Sequence, residues 1–155
     1  MKNLDTLMEE IIVENNLNDL FVELSKIIVE GNLYLVGGFL YRNFVSKMHS
    51  IQINQTSDLD FVVDKIDESK IPVDWHKTKN KYGVVKIILP QNTLDIDFFV
   101  RHSNINHLKL DSCIESYLKA VPLTIQSNAF DVEKRKILGD KGIESLNKKI
   151  ISVNN

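Results

Sequence analysis

The adjacent glycines of "LYLVGGFLYR", residues 33–42, constrain the fold more than any other stretch. An apolar run meets them from one side, and residues at helical spacing leave on the other. Two consecutive positions without side chains suit a tight turn from strand to helix, or a place where a large group approaches the main chain. "LYLV" (33–36) reads as a short buried strand. Phe39, Leu40, Phe44 and Val45 then fall on one helical face, which predicts a helix to about His49.

The remaining pattern is α+β. Leu4, Leu7, Met8, Ile11 and Ile12 recur at helical spacing, as do Leu17, Leu20, Phe21, Leu24, Ile27 and Ile28. "ENNLND" between them offers Asn16 or Asn18 as a cap, so two helices, or one interrupted helix, open the chain. Gly31-Asn32 is expected to stop the second helix. "SDLDFVV" (57–63) predicts a strand, and "VVKIIL" (84–89) with "LDIDFFV" (94–100) a hairpin around Pro90-Gln91-Asn92. Residues 108–120 carry helical spacing through Leu110, Ile114, Tyr117 and Leu118. Short strands are expected around "LTI", "NAF" and "KIL", then a helix near Glu144 and a last strand near Ile150. A mixed or antiparallel sheet follows, because the regular βαβ alternation of a doubly wound fold is absent. With no repeat or linker-like tract, one domain is expected over 1–155, with a helical segment at 1–30 and a core at 33–153.

Two Asp-x-Asp pairs carry the chemistry: Asp58/Asp60 in "SDLDF" and Asp95/Asp97 in "LDIDF". Residues two apart on a strand share a face, so each pair projects together, with Leu59, Phe61, Ile96 and Phe98 turned to the core. Carboxylates so placed repel one another unless a cation lies between them. Hard oxygen donors suit Mg²⁺ or Mn²⁺, which bind through one or two carboxylates together with substrate phosphates. One such pair arises readily by chance, and solvated strand faces carry charge routinely. The order is more specific: strand, Gly-Gly, helix, then one pair opening a strand and another on a second strand. Three carboxylates on neighbouring strands beside a backbone loop are the parts of a metal-dependent phosphoryl-transfer site.

Charge narrows the partners. The chain has 19 Lys and Arg against 21 Asp and Glu, a net charge of -2. The first thirty residues hold seven carboxylates, while Lys134, Arg135, Lys136, Lys141, Lys148 and Lys149 make the other end basic. Strong, independent nucleic-acid binding is not expected from this balance. No run approaches the ~20 apolar residues of a membrane span, and the opening "MKNLDTLMEE" lacks the apolar core of a secretory signal. A single cysteine, Cys113, excludes an internal disulfide, and a reducing cytoplasmic setting is the default. His49, His102 and His107 have no metal-ligand spacing. Cys113 is expected to be buried on a helix, and Trp75-His76 to cap the core from a polar loop.

The combination "LYLVGGFLYRNFV…SDLDFVV…LDIDFF" resembles the head of the nucleotidyltransferase superfamily typified by DNA polymerase β, and within it the head of poly(A) polymerases and CCA-adding enzymes. "NKYGVVKIIL" is similar to that family's FGT hairpin strand. "SNAFDVEKRKILGDKGIESLNKKIISV" is similar to its Asn-Ala segment, Asp-Gly turn, short helix and terminal strand. The resemblance spans roughly residues 33 to 153 and stops where the head stops. A chain without the neck, body and tail that grip tRNA is therefore expected.

The resemblance implies roles for particular residues. Gly37 and Gly38 let backbone amides approach nucleotide phosphates, while Asp58, Asp60 and Asp97 hold the metals and catalyse, with Asp95 as the alternate third carboxylate. Asp97 binds the metal beside the attacking hydroxyl and helps deprotonate it. Arg101 and Asn128 contact the nucleotide; Ser57, from its place just before the Asp pair, is expected either to cap or to contact phosphate. The family's arginine three residues after the glycine pair is Tyr41 here, with Arg42 next to it as substitute, and its Arg-Asp before Asn-Ala is Leu123-Thr124. The implied activity transfers a nucleoside monophosphate from an NTP, expected to be ATP, to a hydroxyl on a small molecule, protein or RNA. Two alternatives stand: RNA 3′-end addition by an oligomer or with a protein partner, and a non-catalytic nucleotide-binding module.

Overall fold

The computed structural model describes residues 3–54, 58–81, 84–90, 95–100, 111 and 113–154, with backbone alone for 99 and 100. The Asn3 side chain accepts the Asp5 N–H at 2.9 Å and so caps helix α1 (Leu4–Glu14). Asn16, at φ +54°, turns the chain into α2 (Leu17–Ile27). Its side chain makes no capping bond there; the backbone conformation, which asparagine tolerates, is what the position uses.

The second helix ends earlier than Gly31-Asn32 leads one to expect. Strand β1 (Ile28–Glu30) intervenes and pairs with β4 (Lys65–Ile66) in a small antiparallel ribbon. Gly31 then makes the turn at φ +75°, where a Cβ would collide with the Asp64 carboxylate.

Among the described residues the main sheet has seven strands in the order β5-β6-β7-β3-β2-β8-β9. Its members are β2 (Tyr34–Val36), β3 (Asp58–Val63), β5 (His76–Lys79), β6 (Val85–Ile88), β7 (Asp95–Val100), β8 (Ala129–Asp131) and β9 (Lys136–Leu138). Only β3 and β7 run parallel; the other neighbouring pairs are antiparallel. The sheet is therefore mixed, as the pattern predicted. A parallel pair needs a long crossover, and here the β4, β5 and β6 segments lie between the two strands.

Alternation sorts the two sheet faces. Leu35, Leu59, Phe61, Val63, Ile87, Ile96, Phe98 and Phe130 join the core formed with α1, α2 and α3 (Gly37–His49). Phe21 of α2 meets Phe61 edge-on at 6.1 Å, and Phe61 stacks on Phe98 at 5.9 Å. Tyr34, Val36, Val62 and Ala129 lie on the opposite face, where Ile114 and Leu118 of α4 (Ile114–Ala120) cover part of it. The next residues of β3 and β7 on that second face are the aspartates.

Other details depart from the expected pattern. Over 108–120, helix is described only from Ile114, and residues 108–110 and 112 lie outside the described set. Cys113 precedes that helix as its cap, half-buried, its thiol donating to Ser116 Oγ at 3.2 Å. "LTI" forms a 3₁₀ turn (Thr124–Gln126) instead of a strand. Near Ile150 the expected strand reduces to a single bridge between Leu123 and Val153. His76 lies in edge strand β5 and not in a loop, while Trp75 packs on the core. Helix α5 (Asp140–Lys148) closes the fold. Among the described residues no helix is long and apolar enough to cross a membrane.

Candidate active site

Strand register brings the two Asp-x-Asp pairs together. Because β3 and β7 are parallel, Asp58 stands opposite Asp95 and Asp60 opposite Asp97. Leu59 and Phe61, with Ile96 and Phe98, fix this orientation by burying the alternate positions in the core. Four carboxylates thus occupy one sheet face on two adjacent strands.

Gly37 and Gly38 border this face. Val36, the last residue of β2, pairs with Asp60 and caps α3, yet its side chain cannot accept a hydrogen bond. Asp60 supplies what the cap lacks: its carboxylate accepts the Gly38 N–H and sets a negative charge at the helix N-terminus. A Cβ on Gly37, whose φ is +76°, would come within 2.3 Å of Asp60 Oδ2. The first glycine is therefore needed by Asp60. Gly38 is different, since the nearest atoms to a Cβ there belong to the Arg42 guanidinium, 3.8 Å away.

Arg42 lies one helical turn beyond Gly38, so its side chain returns to the glycine pair. Tyr41, at the position where the resembling family has arginine, packs against the main core. The Arg42 guanidinium lies 6.0 Å from the Tyr41 ring centroid. A cation thus stands beside the second glycine even though the sequence position has moved by one.

Electrostatics separate the carboxylates. Burial, reinforced by the charges of Asp97 and Asp58, pushes the Asp60 carboxyl up to about 6, against the Gly38 N–H and Lys86. Asp97 is also raised, chiefly by burial and then by Asp58 and Asp95, with Lys86 opposing. Asp95 is set apart by an ion pair with Lys86, Nζ to Oδ2 2.9 Å. That bond, with the surrounding carboxylates, holds the Lys86 ammonium above its usual range. Among the described residues no three His, Cys, Asp or Glu side chains already close on a single ion-sized space.

Two participants were not singled out in the sequence. Lys86 sits mid-strand in "VVKIIL", opposite Asp97; a lysine alternating with buried Val85 and Ile87 was the available signal. Tyr117, on α4, is mostly buried, which together with the charge of Asp60 pushes its phenol up to about 12. It read only as one residue of a helical face.

Asn128 is 1% exposed, and its amide donates to the Ile125 carbonyl at 2.6 Å, holding the 3₁₀ turn against β8. Ser57 and Arg101 lie outside the described residues, as do Tyr82, Gly83, His102 and His107. His49 Nε2 is 2.8 Å from the Leu146 carbonyl. Thr124 accepts the Ser152 N–H at 3.0 Å, a structural bond at the place of the family's Arg-Asp. Two clefts, of about 300 and 370 Å³, are lined by none of Asp58, Asp60, Asp95 and Asp97.

No protein-family model and no curated protein matches the sequence. Solved structures do match. A CCA-adding enzyme with CTP superposes at a TM-score of 0.64 and 20% identity, over 95% of this chain and 36% of that one. The fold is that of the nucleotidyltransferases. A Thermotoga maritima CCA-adding enzyme complexed with tRNA gives 0.62 and 19%, over 99% and 36%. The Bacillus stearothermophilus CCA-adding enzyme in complex with CTP gives 0.54 and 19%, over 79% and 29%. This chain thus spans about a third of the length of the nucleotidyltransferases it is similar to.

Proposed function

We propose that the protein is a metal-dependent nucleotidyltransferase that moves a nucleoside monophosphate from an NTP to a hydroxyl group. One observation carries the reading: Asp58, Asp60 and Asp97 share one sheet face beside the Gly37-Gly38 start of α3. The donor set suits a divalent ion. Carboxylates that raise one another's affinity for protons bring the oxygen chemistry and excess negative charge that Mg²⁺ or Mn²⁺ would relieve. When bound, the ion supplies charge neutralisation for the phosphates and acidifies a nearby hydroxyl.

The chain's own residues do the rest. Asp58 and Asp60 hold the ion, and the Arg42 guanidinium offers a positive contact for phosphate beside the open backbone at Gly38. Asp97 joins them on the ion and, its carboxyl raised chiefly by burial, accepts the proton of the attacking hydroxyl. A bond forms from that oxygen to the α-phosphorus, the bond from the α-phosphorus to the bridging oxygen breaks, and pyrophosphate leaves. ATP is the nucleotide to test first. Similarity to CCA-adding enzymes favours RNA 3′-end addition as the second reading, while the net charge of -2 favours a small-molecule or protein acceptor.

Incubation with each α-labelled NTP, Mg²⁺ or Mn²⁺ and a cell extract separates these readings. Transfer of label to an acceptor, lost in Asp58→Asn, is expected, and the labelled fraction identifies the acceptor class. Metal-dependent nucleotide binding without transfer would make the protein a non-catalytic module.

A further inference from the structure

Four carboxylates share the sheet face, and the reaction above uses three. Asp95 and Asp97 are chemically equal, two residues apart on β7, each opposite a β3 aspartate. What distinguishes them is Lys86. Its backbone stands opposite Asp97, with Ile88 opposite Asp95, yet its ammonium crosses diagonally to Asp95 Oδ2 at 2.9 Å. An ammonium is a compact point charge; once it is bound to one carboxylate, that carboxylate must break the pair before it can turn to another cation.

We propose that Lys86 selects the third metal-binding carboxylate, holding Asp95 in an ion pair and leaving Asp97 to join Asp58 and Asp60. The inference rests on the metal-dependent reading above and assigns Lys86 as a positioning residue, acting through Asp95. The Lys86 and Asp95 side chains are 39% and 32% exposed. The preference is accordingly several-fold and not absolute, as expected for pairs still in contact with water. Without the lysine, Asp95 and Asp97 become interchangeable ligands on the same face.

Mn²⁺ binding to the full chain, followed by electron paramagnetic resonance of the free ion, tests this without any turnover. Removing a positive charge changes affinity in every arrangement, so the diagnostic quantity is the penalty for Asp97→Asn within each background. With Lys86 present the penalty is about fivefold; in Lys86→Met it falls to about twofold or less, because Asp95 takes over. Lys86→Arg keeps the large penalty, and adding Asp95→Asn to the Lys86→Met, Asp97→Asn protein restores it. Lys86→Gln serves as a second neutral variant should Lys86→Met fail to fold, judged by circular dichroism. Equal penalties with and without Lys86 would overturn the selector role while leaving the metal site standing. Failure of the unsubstituted protein to bind Mn²⁺ would overturn both.

Discussion

Asp60 performs two tasks that oppose each other. It completes the N-terminus of α3, and its burial, reinforced by neighbouring like charges, raises its carboxyl to about 6 from an ordinary 3.8. An acid bound more tightly by protons in the folded state stabilises the fold when protonated. Its contribution therefore falls as pH rises from about 4 through about 6, and the penalty is complete above that. In metal-free protein, Asp60→Asn is expected to raise the melting temperature above pH 6. The gain is about 1 kcal/mol after allowance for solvent, roughly 2–4 °C, and it vanishes below pH 4. Thermal melts across pH in EDTA check this; added Mg²⁺ should stabilise the unsubstituted protein and not the variant. The glycines give a second residue-scale contrast. Gly37→Ala places a methyl against Asp60 at a positive φ and should cost about 1–3 kcal/mol. Gly38→Ala meets only the Arg42 side chain and should leave stability unchanged or gain up to about 1 kcal/mol. If Gly38 admits phosphate, the same variant loses NTP affinity while its melting temperature holds.

Helices and strands with a strong period were legible, and those held by tertiary partners were not. The apolar spacings of α1, α2 and α3 and the alternation of β3, β6 and β7 follow from which residues reach the core. Strands β1, β4 and β5 carry no such period: β5 is exposed along its length, and β1 and β4 pair only with each other. "LTI" looked extended because its residues are β-formers, yet the Gln126 side chain accepts the Leu123 N–H and closes a 3₁₀ turn. Local propensity yields there to a side-chain bond that no period reveals. Helix α5 illustrates the same point through contact. A Cβ on Gly142 would lie 2.4 Å from the Ser127 carbonyl oxygen. Gly142→Ala should therefore destabilise by about 1–3 kcal/mol although alanine favours helices. Denaturant titration would show it, and an unchanged midpoint would contradict the close packing of α5 on the turn before β8.

At the scale of the molecule, periodicity assigns each aspartate to a face but not to a neighbour. That Asp58 and Asp60 meet Asp95 and Asp97 depends on the parallel pairing of β3 with β7, which comes from the crossover through β6 and could not be read from spacing alone. Lys86 went unremarked for the same reason, since its meaning lies in a strand pairing. Asn128 shows the opposite limit: a motif match named it, and its side chain is engaged in holding a turn. In the proposed function, three aspartates and the start of α3 together hold a metal-bound nucleotide. Calorimetric titration with ATP and CTP, in Mg²⁺ and in EDTA, tests it most directly. Binding in Mg²⁺ is expected to be lost in EDTA and weakened about tenfold or more in Asp58→Asn and Asp60→Asn. Equal binding with and without metal, or in all three proteins, would contradict it.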